Sequence, residues 1–217
     1  SRLTQHYYSI ALDGTDPQEI EVDLSRFVLE PGTTASPDDI HKYLRCRTAL
    51  GLNLSASKPY LYSGCSIVRA FSFQGAQFIH QALSQNVKGI RGLLLSIPLD
   101  PTDGHLGSSK DAQAFVPSKL GKHPAAGVDA GIWHSGGAPT LLPGNQLIFA
   151  TGNGIYQPEK GVLGCAVVRI DGENLRVSEP AGTYFSAKGE DPLKASEACH
   201  QGNLDPGSSS IATLERN

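Results

Sequence analysis

Between Gly131 and Pro180 the chain reads Gly131-Ile-Trp-His-Ser-Gly-Gly-Ala-Pro-Thr-Leu-Leu, then Gln146-Leu-Ile-Phe-Ala-Thr-Gly-Asn-Gly, Gly164-Cys-Ala-Val-Val-Arg-Ile-Asp-Gly and Asn174-Leu-Arg-Val-Ser. Four short apolar runs, parted by Gly, Pro and Asn turns, predict four consecutive strands of one antiparallel sheet, the pattern of a propeller blade. A blade cannot bury both of its faces alone, so neighbours of the same kind are implied.

Working outward from that stretch, the pattern recurs in weaker form. Upstream, 47–52 reads as a first strand, Tyr60-Leu-Tyr-Ser-Gly64 as a second, Gly92-Leu-Leu-Leu-Ser-Ile-Pro-Leu-Asp100 as a third and Gln113-Ala-Phe-Val-Pro117 as a fourth. Further upstream, 6–12 and 19–22 flank the Asp13-Gly14 turn signal and read as the last two strands of an earlier unit. Third strands end alike, in Leu12-Asp13-Gly14, Leu99-Asp100-Pro101 and Ile170-Asp171-Gly172. Ser208-Ser-Ser-Ile-Ala-Thr-Leu214 reads as the first strand of a further unit. The expected fold is all-β: a single partial β-propeller domain over 1–217, with four-stranded blades and loop insertions. About 1–30 ends one blade, 45–120 forms a second with an insertion at 66–91, 131–180 forms a third, and 205–217 starts a fourth. Within the insertion, 77–83 fits either a helix or another strand. A second insertion is expected at 184–203, with a helical turn at 192–200, and 36–37 could start a short helix. These segments do not close a ring, so the missing blades are expected from more of the same protein or from partner chains.

Composition narrows the function classes. Hydrophobic residues make up 39% of the 217 and charged residues 18%, which suits a globular domain with a real core. The 24 Gly and 14 Pro punctuate the chain too often for long helices. A net charge of −3 supplies no basic field for a nucleic-acid backbone. No apolar run approaches the ~20 residues of a membrane helix. A chain opening at Ser1 with no Met reads as a processed or partial product.

At these residues the sequence resembles the bacterial PQQ-like (quinoprotein-type) β-propeller repeat proteins. The resemblance rests on Gly131-Ile-Trp-His-Ser-Gly-Gly-Ala-Pro, Phe149-Ala-Thr-Gly-Asn-Gly, the Val168-x-Ile-Asp-Gly strand end and Leu204-Asp-x-Gly-Ser-Ser, roughly half the chain. It implies a seven- or eight-bladed ring and export to the periplasm, the cell surface or beyond. The quinone-dependent dehydrogenases of that group carry an adjacent Cys-Cys pair and a tryptophan docking motif in each blade. This chain has neither, Trp133 being its only Trp. The fold therefore carries over and no catalytic residue does; PQQ and Ca belong only to the alternative in which this is part of such a dehydrogenase.

Candidate sites each have a plain structural reading beside the functional one. Trp133 and His134 enter a strand from a Gly-rich loop, and with Asn153 in Thr151-Gly-Asn-Gly154 they could form a ligand-binding surface. Equally, Trp133 could pack between blades, His134 face solvent and Asn153 simply make a tight turn. Asp100, Asp103 and His105 place three donors within six residues and could hold a cation, although Asp-Pro and Asp-Gly are turn formers. His134-Ser135 does not make a nucleophile pair, because strand neighbours point to opposite faces. Cys46 and Cys65 flank a predicted hairpin and could form a disulfide if the register brings their Cα atoms within about 7 Å. The expected function is that of an exported, non-catalytic binding or assembly module with no cofactor of its own. The alternatives are the dehydrogenase fragment and a structural subunit of a surface assembly. Expected partners are other protein chains or the missing blades.

Overall fold

The structure, a computed structural model, describes residues 4–28, 44–46, 48–54, 58–67, 71–74, 77–80, 92–117, 130–132, 134, 137–152, 156–158, 161–178 and 184–186. In chain order the strands are β1 (Thr4–Ser9), β2 (Gln18–Asp23), β3 (Leu44–Cys46), β4 (Gly51–Asn53), β5 (Tyr60–Ile67), β6 (Phe71–Gln74), β7 (Gln77–His80), β8 (Leu93–Pro98), β9 (Gln113–Phe115), β10 (Thr140–Leu142), β11 (Gln146–Ala150), β12 (Tyr156–Gln157), β13 (Val162–Leu163), β14 (Ala166–Asp171) and β15 (Tyr184–Ser186). The one α-helical turn described is α1 (Ser25–Val28). The described fold is thus all-β, and every strand pair is antiparallel.

Three sheets form the body. The first is the β1–β2 hairpin, the second runs β3-β5-β8-β9 with β4 also paired to β5, and the third runs β10-β11-β14-β15. In the second sheet β3 and β4 share one side of β5, Cys46 opposite Cys65 and Gly51 opposite Tyr62. Five steps of one strand therefore face three of the other, so the expected single first strand over 47–52 is split. Thr48 Oγ1 bridges the gap by accepting the amide N–H of Gly64 at 2.7 Å, which satisfies a buried donor that the broken ladder leaves.

The burial pattern shows which sheet lies in the middle. Leu93 to Leu95 and Ile97 on β8 are all fully buried, so both faces of the second sheet are covered. One face, with Leu61, Leu93, Leu95 and Ile97, packs on Tyr7, Val22 and Leu24 of the first sheet and its following turn. The other, with Tyr60, Tyr62, Leu94 and Phe115, packs on Ile132, Leu147, Phe149, Val168 and Ile170 of the third. On β14 the alternation is regular, Ala166, Val168 and Ile170 inward, as a sheet with one well-covered face requires.

The second and third sheets also meet at their first strands. A Cβ at Gly51 of β4 would stand 3.2 Å from the Pro139 carbonyl just before β10. Farther out, on β9, Phe115 meets Phe149 of β11 edge-to-face with ring centroids 5.7 Å apart. Backbone fills the space at one side and aromatic rings fill it at the other.

Several details differ from the sequence reading. Residues 77–80, open between helix and strand, form β7 paired with β6. The run 174–178 makes a single bridge, Val177 with Ile170, and the pairing to β14 continues at β15, beyond the expected boundary at 180. The reason lies in the loop that Asp171 heads: its Oδ1 accepts the amides of Glu173 and Asn174, and Leu175 adopts φ 56°, which turns the chain before a long strand can form. The described residues 131, 132, 134 and 137–139 precede β10 without strand structure. The expected helices at 36–37 and 192–200 and the strand at 208–214 lie outside the described residues.

Candidate functional site

Trp133 and Asn153 lie outside the described residues, and His134 is the described member of that candidate surface. It is fully buried rather than solvated. At φ 46° it sits in the left-handed region, which folds the chain back on itself: the Gly137 N–H donates to the His134 carbonyl at 2.5 Å. Its Nε2 accepts the Ala150 N–H at 3.1 Å, at the end of β11. Burial lowers the imidazole pKa below its usual value, against the weaker opposing pull of the Ala150 contact. A neutral ring that accepts a backbone N–H latches the chain at His134 onto the third sheet.

The latch belongs to a wider backbone junction. Gly152 N–H donates to the Gly131 carbonyl at 2.6 Å, and Cys165 N–H to the Gly152 carbonyl at 3.1 Å. Thr151 Oγ1 donates to the Leu163 carbonyl at 2.5 Å and accepts the Ala166 N–H at 3.1 Å. Thr151 is fully buried, so its hydroxyl serves the β11–β14 connection. The Thr151-Gly152 segment thereby acts as a turn support.

Asp100, Asp103 and His105 sit on one loop after β8, and each has a local task. Asp100 Oδ1 accepts the Thr102 N–H at 2.7 Å, and Asp103 Oδ1 accepts the His105 N–H at 2.9 Å. The Thr102 amide, its hydroxyl and then more distant groups hold the Asp100 carboxyl below its usual pKa. His105 faces the first sheet, with Nδ1 3.0 Å from Ser9 Oγ and Nε2 3.2 Å from an Asp16 carboxylate oxygen. The imidazole ties two sheets together, and among the described residues no group of three or more His, Cys, Asp or Glu is placed to hold a metal.

Cys46 and Cys65 form a disulfide, their Cα atoms 3.9 Å apart as direct partners in the β3–β5 register. Cys165 is also disulfide-bonded. The described residues do not fit a calcium–quinone centre: their cysteines are cross-linked and non-adjacent, and the Asp100 and Asp103 carboxylates cap their own turns.

One junction escaped the sequence. Tyr62 OH, on the second sheet, donates to the Gly172 carbonyl on the third at 2.7 Å. Asn53 Nδ2 reaches both Tyr62 OH, at 3.4 Å, and Asn145 Oδ1. Burial pushes the Tyr62 phenol up to about 12. The available signal was weak: Pro143-Gly144-Asn145 reads as a turn, and nothing in its spelling says that the Asn faces another sheet.

No protein family, no curated protein and no solved structure matches the chain. Among the described residues no helix is long and apolar enough to cross a membrane.

Proposed function

We propose that the chain is a segment of a β-propeller, related to the PQQ-like repeat proteins, that works as an exported, non-catalytic binding or assembly module. Its partners dock on the loops at the sheet ends. The observation that carries this reading is the stacking of three antiparallel sheets around a middle one buried on both faces. Facing sheets packed through their apolar sides suit neighbouring blades. At Asp100, Asp103 and His134 the side-chain hydrogen bonds serve turn and sheet geometry.

Electron microscopy of the natively purified protein tests the architecture. Class averages with a ring and a central channel are expected; an open stack or a closed sandwich would sink the reading. A dye-linked dehydrogenase assay with added PQQ and Ca²⁺ tests the role. Turnover above background would replace the binding module with the dehydrogenase.

A further inference from the structure

Cys165 stands where the chain enters β14 of the third sheet. It is fully buried, and its φ of 51° lies in the left-handed region, which a non-glycine residue keeps only where its surroundings hold it. Backbone bonds supply part of that hold. The Cys165 N–H donates to the Gly152 carbonyl at 3.1 Å, and the Thr151 N–H donates to the Ala166 carbonyl at 2.8 Å. A further hold is covalent, because Cys165 is disulfide-bonded.

Its partner follows from the cysteine count and the topology. The sequence has four cysteines. Cys46 and Cys65 are bonded to each other, and Cys65 faces the core between the first and second sheets. The third sheet packs on the opposite face of the second, so an exchange of partners between Cys165 and that pair would have to cross a sheet. The remaining cysteine is Cys199, which lies outside the described residues, thirteen positions after Ser186. The β14–β15 register brings the chain to the right place. Ser186, the last residue of β15, pairs with Ala166, the neighbour of Cys165. The twelve residues 187–198 therefore start beside the sulfur to which Cys199 must return. Closure costs rise only slowly with loop length, and loops of this size with adjacent ends are a common surface form.

We infer that Cys165 and Cys199 form a second disulfide, which ties the chain beyond β15 to the start of β14. Its formation removes two protons and two electrons from the two thiols. The disulfide of a thiol–disulfide oxidoreductase takes them up and leaves as a dithiol. β15 is three residues long, so the bond adds a covalent hold to a short ladder. The linkage stands independently of the propeller reading.

The natively purified full chain tests the pairing, with free thiols blocked by iodoacetamide before tryptic digestion without reductant. Cys165 falls in the peptide 161–169 and Cys199 in 195–216. Mass spectrometry should find these two joined, and reduction should release them. Alkylated Cys199, either peptide joined to one that carries Cys46 or Cys65, or a reductant-sensitive dimer on a gel overturns the pairing. The tie is read in the double variant Cys165→Ala with Cys199→Ala, which keeps Cys46 and Cys65. Amide exchange at 184–186 should quicken at least about tenfold over wild type, with 60–67 unchanged. Equal exchange at 184–186 in the two proteins, or equal acceleration at 60–67, overturns the tie.

Discussion

Asp100 and Asp171 head the same loop in two different sheets. Each donates its amide to the carbonyl five residues on, His105 and Arg176, at 2.8 Å, and each carbonyl accepts from the residue four on, Gly104 at 2.8 Å and Leu175 at 3.0 Å. Each Oδ1 caps the amide two on, and bridges then join Leu99 to Leu106 and Ile170 to Val177. The sequence repeat at the strand ends is thus a repeat of hydrogen bonds.

The fourth loop position takes a left-handed conformation in both, φ 76° at Gly104 and 56° at Leu175. A Cβ at Gly104 would meet nothing within 4 Å, so Gly104→Ala isolates the backbone cost. Urea unfolding should show a loss of about 1 kcal/mol. An unchanged midpoint would mean that the loop is not held in this conformation.

Tyr62→Phe tests the junction between the second and third sheets. The variant keeps the ring in its core and removes the donor to Gly172, leaving a buried carbonyl unpaired. A loss of about 1–3 kcal/mol is expected, read as a lower urea midpoint with an unchanged slope. The folded phenol, raised to about 12, titrates above its unfolded value. The neutral form favours the fold, so this stabilisation is complete below pH 10 and fades as pH rises toward 12. Wild type should lose more stability than Tyr62→Phe across that window.

How legible these features were depends on where their partners lie. β8 was readable because Leu93 to Ile97 is apolar at nearly every position, which fits a strand buried on both faces. The strand-end loops were readable as a repeat because Asp100 and Asp171 act on amides two residues away. The split of the first strand at Thr48 was not, since its cause is the Gly64 amide on another strand. His134 was equally opaque: its burial and its bond to Ala150 depend on a left-handed conformation at a non-glycine residue and on a partner sixteen residues away. Local chemistry is written locally, and contacts between sheets are not.

His134 gives the fold a response to mild acid. Desolvation lowers its pKa, so the unfolded chain binds a proton first as pH falls below about 6.5. Stability contributed by the neutral ring is therefore present above that value and is lost as pH drops toward the folded pKa. Urea midpoints should fall between pH 7 and pH 5. In His134→Gln, which cannot titrate, that dependence should shrink. An equal slope in the two proteins would remove His134 as the cause.

Arg26 holds the first sheet on the second. One guanidinium nitrogen donates to the carbonyls of Ser109 at 3.0 Å and Ala112 at 2.7 Å, and the other reaches Lys110 at 3.4 Å. The same group lies 4.4 Å from the centre of the Phe27 ring. Its five donors in a rigid fork suit several carbonyls at once, a geometry that a Lys ammonium does not reproduce. Arg26→Ala should destabilise the sheet by about 1–3 kcal/mol, and Arg26→Lys should recover only part of that loss. The effect should be local, because the first sheet's other contacts with the body, His105 with Ser9 and Asp16 and the packing of Tyr7, Val22 and Leu24, lie against the second sheet alone. Hydrogen exchange should therefore quicken over 4–28 and stay unchanged over 146–150 and 166–171. Equal acceleration in all three regions would mean that the β1–β2 hairpin and the third sheet unfold as one unit, and that Arg26 is not a local clasp.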